Sequence, residues 1–141
     1  MSKQKQILGW REWIGLPPLQ VGSIKAKVDT GARTSSLHVA DLKVFRLEGI
    51  PFVRFTIHPV QKKPFPKIEA HAELHDIRYV KSSTGRQTLR PVIKTDIEIA
   101  GHRYAIELNL VNRDLMGFRM LLGRTAIRNK FLIDPGNSYI S

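Results

Sequence analysis

The fold is decided by the stretch Ala26-Lys27-Val28-Asp29-Thr30-Gly31-Ala32. Its first residues are typical of a short apolar strand, which delivers one carboxylate, that of Asp29, into a sharp turn. Gly31 allows backbone amides to approach the carboxylate, and the hydroxyl of Thr30 can hold the turn. Because an acidic residue before a glycine turn is common, the triplet needs a second signal before it indicates chemistry.

That second signal is the stretch Met120-Leu121-Leu122-Gly123-Arg124-Thr125-Ala126 near the other end of the chain. An apolar strand, a glycine and a short helix in this order complete a loop of the kind that supports such an aspartate. Together the two stretches predict one lobe of an aspartic-protease type of site, with Asp29 as its carboxylate.

The composition is that of an ordinary globular chain, with 141 residues, 42% apolar and 25% charged. This length suffices for one core, so we expect a single domain over residues 1–141. The absence of cysteine excludes a disulfide framework, a thiolate metal site and a cysteine nucleophile. No apolar run is long enough to span a bilayer or to form a signal segment, so we expect a cytoplasmic protein with no membrane partner.

The net charge of +11 favours an acidic partner, whether nucleic acid, an anionic membrane surface or an acidic peptide. The basic residues are spread along the chain, and no signature of a nucleic-acid-binding module is present, so nucleic acid is not favoured. A solvated basic surface without a charge-driven function is an equally open interpretation.

Alternation of apolar and polar residues predicts several strands, and tight turns join them. The alternating segments are 44–47, 52–57, 93–99 and 104–110. Hairpins are expected around Gly49 and at 100–102, and the three prolines within 58–66 predict a surface loop. The best helix candidate is 124–130, followed by a final strand at 131–133.

Peptide hydrolysis without a metal can use two carboxylates that share one proton, because like charges a few ångströms apart do not both ionise easily. The chain has one Asp-Thr-Gly triplet, so a working pair requires two chains related by a twofold axis. We therefore expect a homodimer. The alternative is that Asp29 only caps a turn.

Two further segments carry weaker signals. His71-Ala72-Glu73-Leu74-His75 has the spacing H-x-E-x-H rather than H-E-x-x-H, so a polar strand face is favoured over a zinc site. The small residues between the strand-like stretches around 79 and 87 predict a flap over a cleft, formed by Ser82, Ser83, Thr84, Gly85 and Arg86. An ordinary polar hairpin loop is equally compatible with those residues.

The whole chain resembles the bacterial and archaeal retropepsin-like family whose members are often labelled ATP-dependent zinc proteases. The segments that resemble the family are 9–13, 26–38, 80–85, 90–93, 112–114, 120–126 and 133–135. They contain neither a metal-ligand cluster nor a phosphate loop, so we expect aspartic chemistry without a cofactor. Some family members are encoded beside ATP-grasp ligases that attach acidic residues to protein tails, which bears on the substrate class.

The resemblance implies that Asp29 is the catalytic carboxylate, that Thr30 braces the paired loops and that Gly31 contacts the substrate backbone. Ala32, Arg33, Arg124 and the flap residues fall at substrate-binding positions. Viral retropepsins have an acidic residue where this chain has Arg33, and it pairs with an arginine equivalent to Arg124. Two guanidinium groups so close together require carboxylate partners, which Asp114, Asp134 or the substrate could provide.

The sequence thus predicts an all-β, retropepsin-like closed barrel with one short helix near the C-terminus. Its predicted function is that of a homodimeric aspartic peptidase acting on peptides, including acidic peptides or acidic protein tails. The alternatives are a non-catalytic peptide-binding module of the same fold and, less favoured, a zinc hydrolase that uses His71 and His75.

Overall fold

The computed structural model describes residues 4–81, 84–112, 115 and 117–141. The regular secondary structure of the described chain is almost all β-strand, with a 3-10 turn at Pro17–Leu19 and a short helix. The strands are β1 (Gln6–Gly9), β2 (Arg11–Leu16), β3 (Val21–Asp29), β4 (Ser35–His38), β5 (Ala40–Leu47), β6 (Ile50–Ile57), β7 (Ile68–Glu73), β8 (Asp76–Lys81), β9 (Gln87–Ile99), β10 (His102–Val111), β11 (Met120–Gly123) and β12 (Phe131–Asp134). The helix α1 spans Arg124–Ile127.

The largest sheet has the strand order β10-β4-β11-β3-β2-β9-β8, and β10 also pairs with β9. The pairings of six strands therefore form a ring, with β8 attached outside it. A three-stranded sheet, β5-β6-β7, and a parallel pair, β1 and β12, complete the architecture. The prediction of a chain built mostly from β-strands is confirmed, whereas the closed barrel stays a prediction.

The core is formed by apolar side chains from the strands of the ring together with others from β1, β6, β7, β12 and α1. Its largest fully buried side chains include Ile24, Leu37, Ile93, Ile97, Leu108, Leu110, Met120 and Leu122. In β9 and β10 they alternate with less buried residues, apart from the buried Asn109, so the period-two pattern in 93–99 and 104–110 is explained by one buried face. Among the described residues, no helix combines the length and the apolar character needed to cross a bilayer.

Two predicted hairpins are present, with the turns that their strands require. Glu48 and Gly49 have φ of 51° and 82°, and Ala100 and Gly101 have φ of 54° and 79°. Positive φ at both central residues is the mark of a turn whose twist matches that of antiparallel strands. These turns set the register of β5 with β6 and of β9 with β10.

The predicted helix is shorter than expected. It was expected to run to Lys130, but α1 ends at Ile127, because Arg128 is extended at φ −57° and ψ 140°. Asn129 then adopts φ 67°, which turns the chain back toward β12. The predicted loop at 58–66 contains no strand.

A buried polar network ties β4 to β9 and β10. Ser36 Oγ donates to Asn109 Oδ1 at 2.8 Å, and Arg90 Nη1 donates to the same oxygen at 2.9 Å. Asn109 Nδ2 donates to the carbonyl oxygen of Ser35 at 3.0 Å. Since Asn109 is fully buried, these bonds replace its lost hydration and fix the position of β4 beside the Asp29 loop.

Candidate functional site

The site is centred on the loop of residues 29–35, which connects β3 to β4. Asp29 is the last residue of β3, and its side chain is half-buried. Its Oδ1 accepts a hydrogen bond from the backbone N–H of Gly31 at 3.0 Å. A Cβ on residue 31 would lie 3.3 Å from that oxygen, so glycine leaves the carboxylate room.

The turn is therefore held by the carboxylate of Asp29 rather than by the hydroxyl of Thr30, which the sequence suggested for this role. Thr30 is exposed, and its hydroxyl forms no hydrogen bond within the described part of the chain. Its predicted role, bracing a second copy of the loop, stays a prediction.

The stretch Gly123–Thr125 clamps this loop from the neighbouring strand, because β11 runs parallel to β3 with Gly123 opposite Asp29. The backbone N–H of Arg124 donates to Ala32 O at 2.8 Å. The backbone N–H of Thr125 donates to Arg33 O at 3.2 Å, and its Oγ1 donates to the same oxygen at 2.8 Å. The two stretches singled out in the sequence are thus in direct contact.

Gly123 allows this contact because the backbone of the loop lies directly against it. A Cβ on residue 123 would lie 2.6 Å from the carbonyl carbon of Thr34, 2.8 Å from its oxygen and 2.9 Å from the nitrogen of Ser35. The Gly123 N–H also donates to the buried Ser35 Oγ at 3.0 Å. The glycine is therefore required by close approach of two backbones.

Two arginine side chains border the loop. Arg124 Nη1 donates to the carbonyl oxygen of Gly31 at 3.1 Å, which fixes this guanidinium at the Asp29 loop. Arg33 is exposed. Among the described residues, neither arginine forms an ion pair with a carboxylate.

The acidic partners suggested for these arginines lie elsewhere or outside the described residues. Asp134 accepts hydrogen bonds from Asn137 Nδ2 at 2.6 Å and from the N–H of Gly136 at 3.0 Å. The Asn137 amide, followed by the Gly136 N–H, holds the pKa of Asp134 below its ordinary value. Asp134 therefore caps its own turn, and Asp114 lies outside the described residues.

The predicted flap is placed at the end of the β8–β9 hairpin. Thr84, Gly85 and Arg86 are exposed there, and Gly85 has φ 83°, as a tight turn requires. Ser82 and Ser83 lie outside the described residues. The prediction that this flap covers the Asp29 loop stays a prediction.

The histidines of the H-x-E-x-H segment are not brought together as ligands. His71 lies exposed on β7, whereas His75 follows that strand and its Nε2 lies 3.1 Å from Glu107 Oε2. Arg78 donates to both oxygens of Glu107, at 2.9 Å and 2.7 Å, and these bonds lower the pKa of Glu107. Within the described ranges, no group of three or more His, Asp or Glu side chains is arranged to hold a metal ion.

Two residues that hold the site were not singled out from the sequence, Ser35 and Thr125. Their hydroxyls satisfy backbone groups of the opposite segment, as described above. The run Thr34-Ser35-Ser36 directly after the turn was the available signal, because hydroxyl side chains bond readily to nearby backbone groups.

A groove of about 600 Å³ lies away from the Asp29 loop. Its lining includes Trp13, Gly15, Glu98, His102 and Arg103, and none of the predicted site residues. Glu98 and Arg103 form a 3.7 Å ion pair within it, so its charge is largely balanced.

The strand ring, the Asp-Thr-Gly loop at the end of β3 and the clamp from β11 and α1 define a retropepsin-like domain. The chain belongs to the RimB-like family, described as "Retropepsin-like aspartic endopeptidase RimB", whose model matches residues 7–141. The retropepsin-like resemblance is thereby confirmed, and the zinc-protease label attached to it stays without support.

The curated relatives are named as ligases, whereas the family description names an endopeptidase. A "Probable alpha-L-glutamate ligase" of Shewanella halifaxensis is 46% identical over 139 residues, which cover 99% of this chain and 30% of that protein. A protein of the same name from Desulfotalea psychrophila is 40% identical over 131 residues, covering 93% of this chain and 28% of that protein. The chain thus spans about 30% of the length of the curated relatives it matches.

A solved structure is also similar. It is the crystal structure of protein Lpg0085, of unknown function, from Legionella pneumophila. It is 28% identical with a TM-score of 0.79, covering 97% of this chain and 98% of that chain.

The relatives' names contradict the predicted function. We expected an aspartic peptidase, whereas the curated relatives are named as glutamate ligases, so the predicted activity is wrong by this comparison. The expected homodimer stays a prediction. One Asp-Thr-Gly loop does not by itself specify a complete catalytic pair. The loop geometry fixes the placement of Asp29 within one chain and leaves the reaction undetermined.

Proposed function

We propose that this chain takes part in α-L-glutamate ligation as the domain that binds the glutamate-bearing peptide. Support comes from the curated relatives, which are named as α-L-glutamate ligases and contain a region similar to this chain. A ligase that adds glutamate leaves a product with one more side-chain carboxylate for each residue added. Binding alone, with no step of bond formation or cleavage, is assigned to this chain.

The observation that supports binding most directly is the pair of arginines at the Asp29 loop. Arg124 is exposed, and its Nη1 is held in place by the bond to Gly31 O. Arg33 is exposed on the same loop, and neither arginine has a carboxylate partner within the described part of the chain. Guanidinium groups of this kind match carboxylates in a bidentate geometry.

The overall charge favours the same ligand. The chain has 23 Lys and Arg residues against 12 Asp and Glu residues, so an acidic peptide is attracted from a distance. At the site itself, one charge-assisted hydrogen bond contributes about 1.5–3 kcal/mol, which is roughly one to two decades in affinity. The Asp29 carboxylate opposes this attraction, but its Oδ1 is occupied by the Gly31 N–H.

The test is a calorimetric titration of the protein with tetraglutamate and with tetraglutamine at low and moderate salt. We expect tetraglutamate to bind, tetraglutamine to bind at least tenfold more weakly, and salt to weaken the first interaction. Arg33→Gln should reduce tetraglutamate affinity about tenfold, because the substitution removes a guanidinium that forms no hydrogen bond or ion pair with the described residues.

The matched control is Arg54→Gln. Arg54 is exposed on β6, in the three-stranded sheet, so this variant makes the same change in net charge away from the loop. Tetraglutamate affinity that falls equally in both variants, or wild-type protein that binds the two peptides alike, would overturn the proposal. Arg124→Lys provides a second variant that keeps the charge and loses the planar fork.

A further inference from the structure

A second group of cations lies on the outward face of β2 and β3, which we call the Arg11–Lys25 cluster. It consists of Arg11, Lys25 and the rings of Trp10, Trp13 and Tyr139. In the register of the two strands, Trp13 lies opposite Lys25, and Arg11 lies opposite Lys27. Directly opposite side chains are in contact range, so the register alone brings these groups together.

Arg11 is held by aromatic rings rather than by carboxylates. Its guanidinium carbon lies 4.5 Å from the centre of the Trp10 ring and 5.0 Å from that of Tyr139. Its Nε is buried with no hydrogen-bond partner, and no ion pair of Arg11 occurs among the described residues. The ring contacts hold the guanidinium but satisfy none of its N–H groups. Because Nε is buried, its two Nη groups are the donors left for an anion.

Lys25 completes the cluster on the neighbouring strand. Its Nζ lies 5.4 Å from the Trp13 ring centre and 5.9 Å from that of Tyr139. The two rings are themselves stacked, with centres 5.7 Å apart and planes at 23°. Trp13 is 50% exposed, so the cluster is open to a ligand.

The wall formed by Tyr139 is fixed to the strand that it covers. The backbone N–H of Tyr139 donates to Arg11 O at 2.9 Å. The buried Glu12 carboxylate then accepts the N–H groups of Ile140 at 3.1 Å and Ser141 at 3.3 Å. The cluster is therefore built by the fold and does not depend on a flexible side chain alone.

The cluster lies on the same face of β3 as Asp29. Residues 25, 27 and 29 alternate with the inward residues Ile24, Ala26 and Val28, so their side chains leave the strand on one side. Asp29 lies four residue steps along the strand from Lys25, a span of about 13 Å. An extended peptide of about four to six residues is long enough to reach from the Asp29 loop to the cluster.

We propose that the Arg11–Lys25 cluster is a second carboxylate-binding subsite, which takes the distal side chains of an acidic peptide whose nearer residues contact Arg33 and Arg124. The inference rests on the proposed function and adds to it a preference for several successive acidic residues. Single-stranded nucleic acid is the less favoured ligand, because base stacking needs free ring faces. Here Tyr139 contacts Trp13 and Arg11, and Lys25 lies near both rings.

The test compares diglutamate with hexaglutamate on the intact chain. Wild-type protein should bind hexaglutamate at least tenfold more tightly than diglutamate. Lys25→Gln should remove most of this difference and leave diglutamate affinity unchanged, whereas Arg54→Gln should change neither. Arg11→Lys is the second variant, since it keeps the charge and loses the stacked fork, and it should give a partial loss.

A local spectroscopic readout separates the subsite from general charge effects. Hexaglutamate, but not diglutamate, should shift the tryptophan emission, and Trp13→Phe should abolish most of that shift. Equal affinity for the two lengths in wild-type protein would overturn the second subsite while leaving the proposed function intact. Failure of both peptides to bind would overturn both, and tighter binding of a single-stranded RNA decamer than of hexaglutamate would also overturn the subsite.

Discussion

Replacing Gly123 by alanine tests whether close backbone contact builds the Asp29 loop. The added Cβ would lie 2.6 Å from the carbonyl carbon of Thr34, where ordinary contact begins at 3.4 Å. The neighbours are all backbone atoms, so no side chain can turn aside. Relief requires a separation of the two segments by about 0.8 Å.

This displacement breaks the clamp. The bond from Thr125 N–H to Arg33 O is already 3.2 Å long, and a separation of that size would place it at about 4.0 Å, beyond hydrogen-bond range. The bonds from the backbone N–H groups of Gly123 and Arg124 would lengthen with it. Three such bonds at about 0.5–1.5 kcal/mol each give an expected destabilisation of about 1.5–4.5 kcal/mol.

Urea unfolding followed by tryptophan fluorescence measures this effect. With a slope of about 2 kcal/mol/M, the midpoint of Gly123→Ala should fall by about 1–2 M, and tetraglutamate affinity should fall as well. The control is Gly22→Ala on β3, where an added Cβ meets nothing within 4 Å, so its stability should stay within about 0.5 kcal/mol of wild type. A Gly123→Ala protein as stable as this control would refute the account of the clamp.

Three further substitutions test other parts of the structure. Glu12→Ala leaves the buried N–H of Gly9 without the acceptor that it now has at 2.7 Å, so urea unfolding should show a loss of about 2–4 kcal/mol, with a smaller loss for Glu12→Gln. The bonds from Arg78 lower the pKa of Glu107, so its stabilisation is present above the unfolded-state pKa of about 4.3 and is lost as pH falls through the folded-state value. In Glu107→Gln the urea midpoint should therefore change less with pH below about pH 5 than in wild-type protein. An equal change with pH in both proteins would contradict the stabilising role of Glu107. Burial raises the pKa of Tyr104 to about 12, so stability should fall as pH rises from the ordinary tyrosine value of about 10 toward 12. Absorbance titration of Tyr104→Phe should lack the late-ionising tyrosine.

The strands that the sequence located well are those with one buried and one solvated face. In β9, Ile93, Ile97 and Ile99 are buried while Lys94 and Glu98 are exposed, so alternation was sufficient. The strand β4 was not predicted, because Ser35 and Ser36 are buried polar residues. Their partners include Asn109, more than 70 residues away in the chain. Burial of this kind depends on tertiary partners that local patterns do not contain.

In the site, too, the local features were predictable from the sequence and the long-range contacts were not. Asp29 and Gly31 were identified because a turn is a local structure with local residue preferences. The clamp joins Gly123 to Ser35 across 88 residues, so its hydrogen bonds follow from the pairing of β11 with β3. The reaction could not be predicted from the sequence, because one Asp-Thr-Gly loop does not specify a complete catalytic pair. The names of the relatives, and no property of the loop, changed that conclusion.

The central claim is that an acidic peptide binds at the Asp29 loop, and chemical-shift mapping tests it most directly. Uniformly ¹⁵N-labelled protein is titrated with tetraglutamate while the backbone amide resonances are followed. The account predicts saturable shifts concentrated at Gly31, Arg33 and Arg124, with little change at Arg54 on the three-stranded sheet. Shifts concentrated away from the loop, or no saturable shift at millimolar peptide, would contradict it.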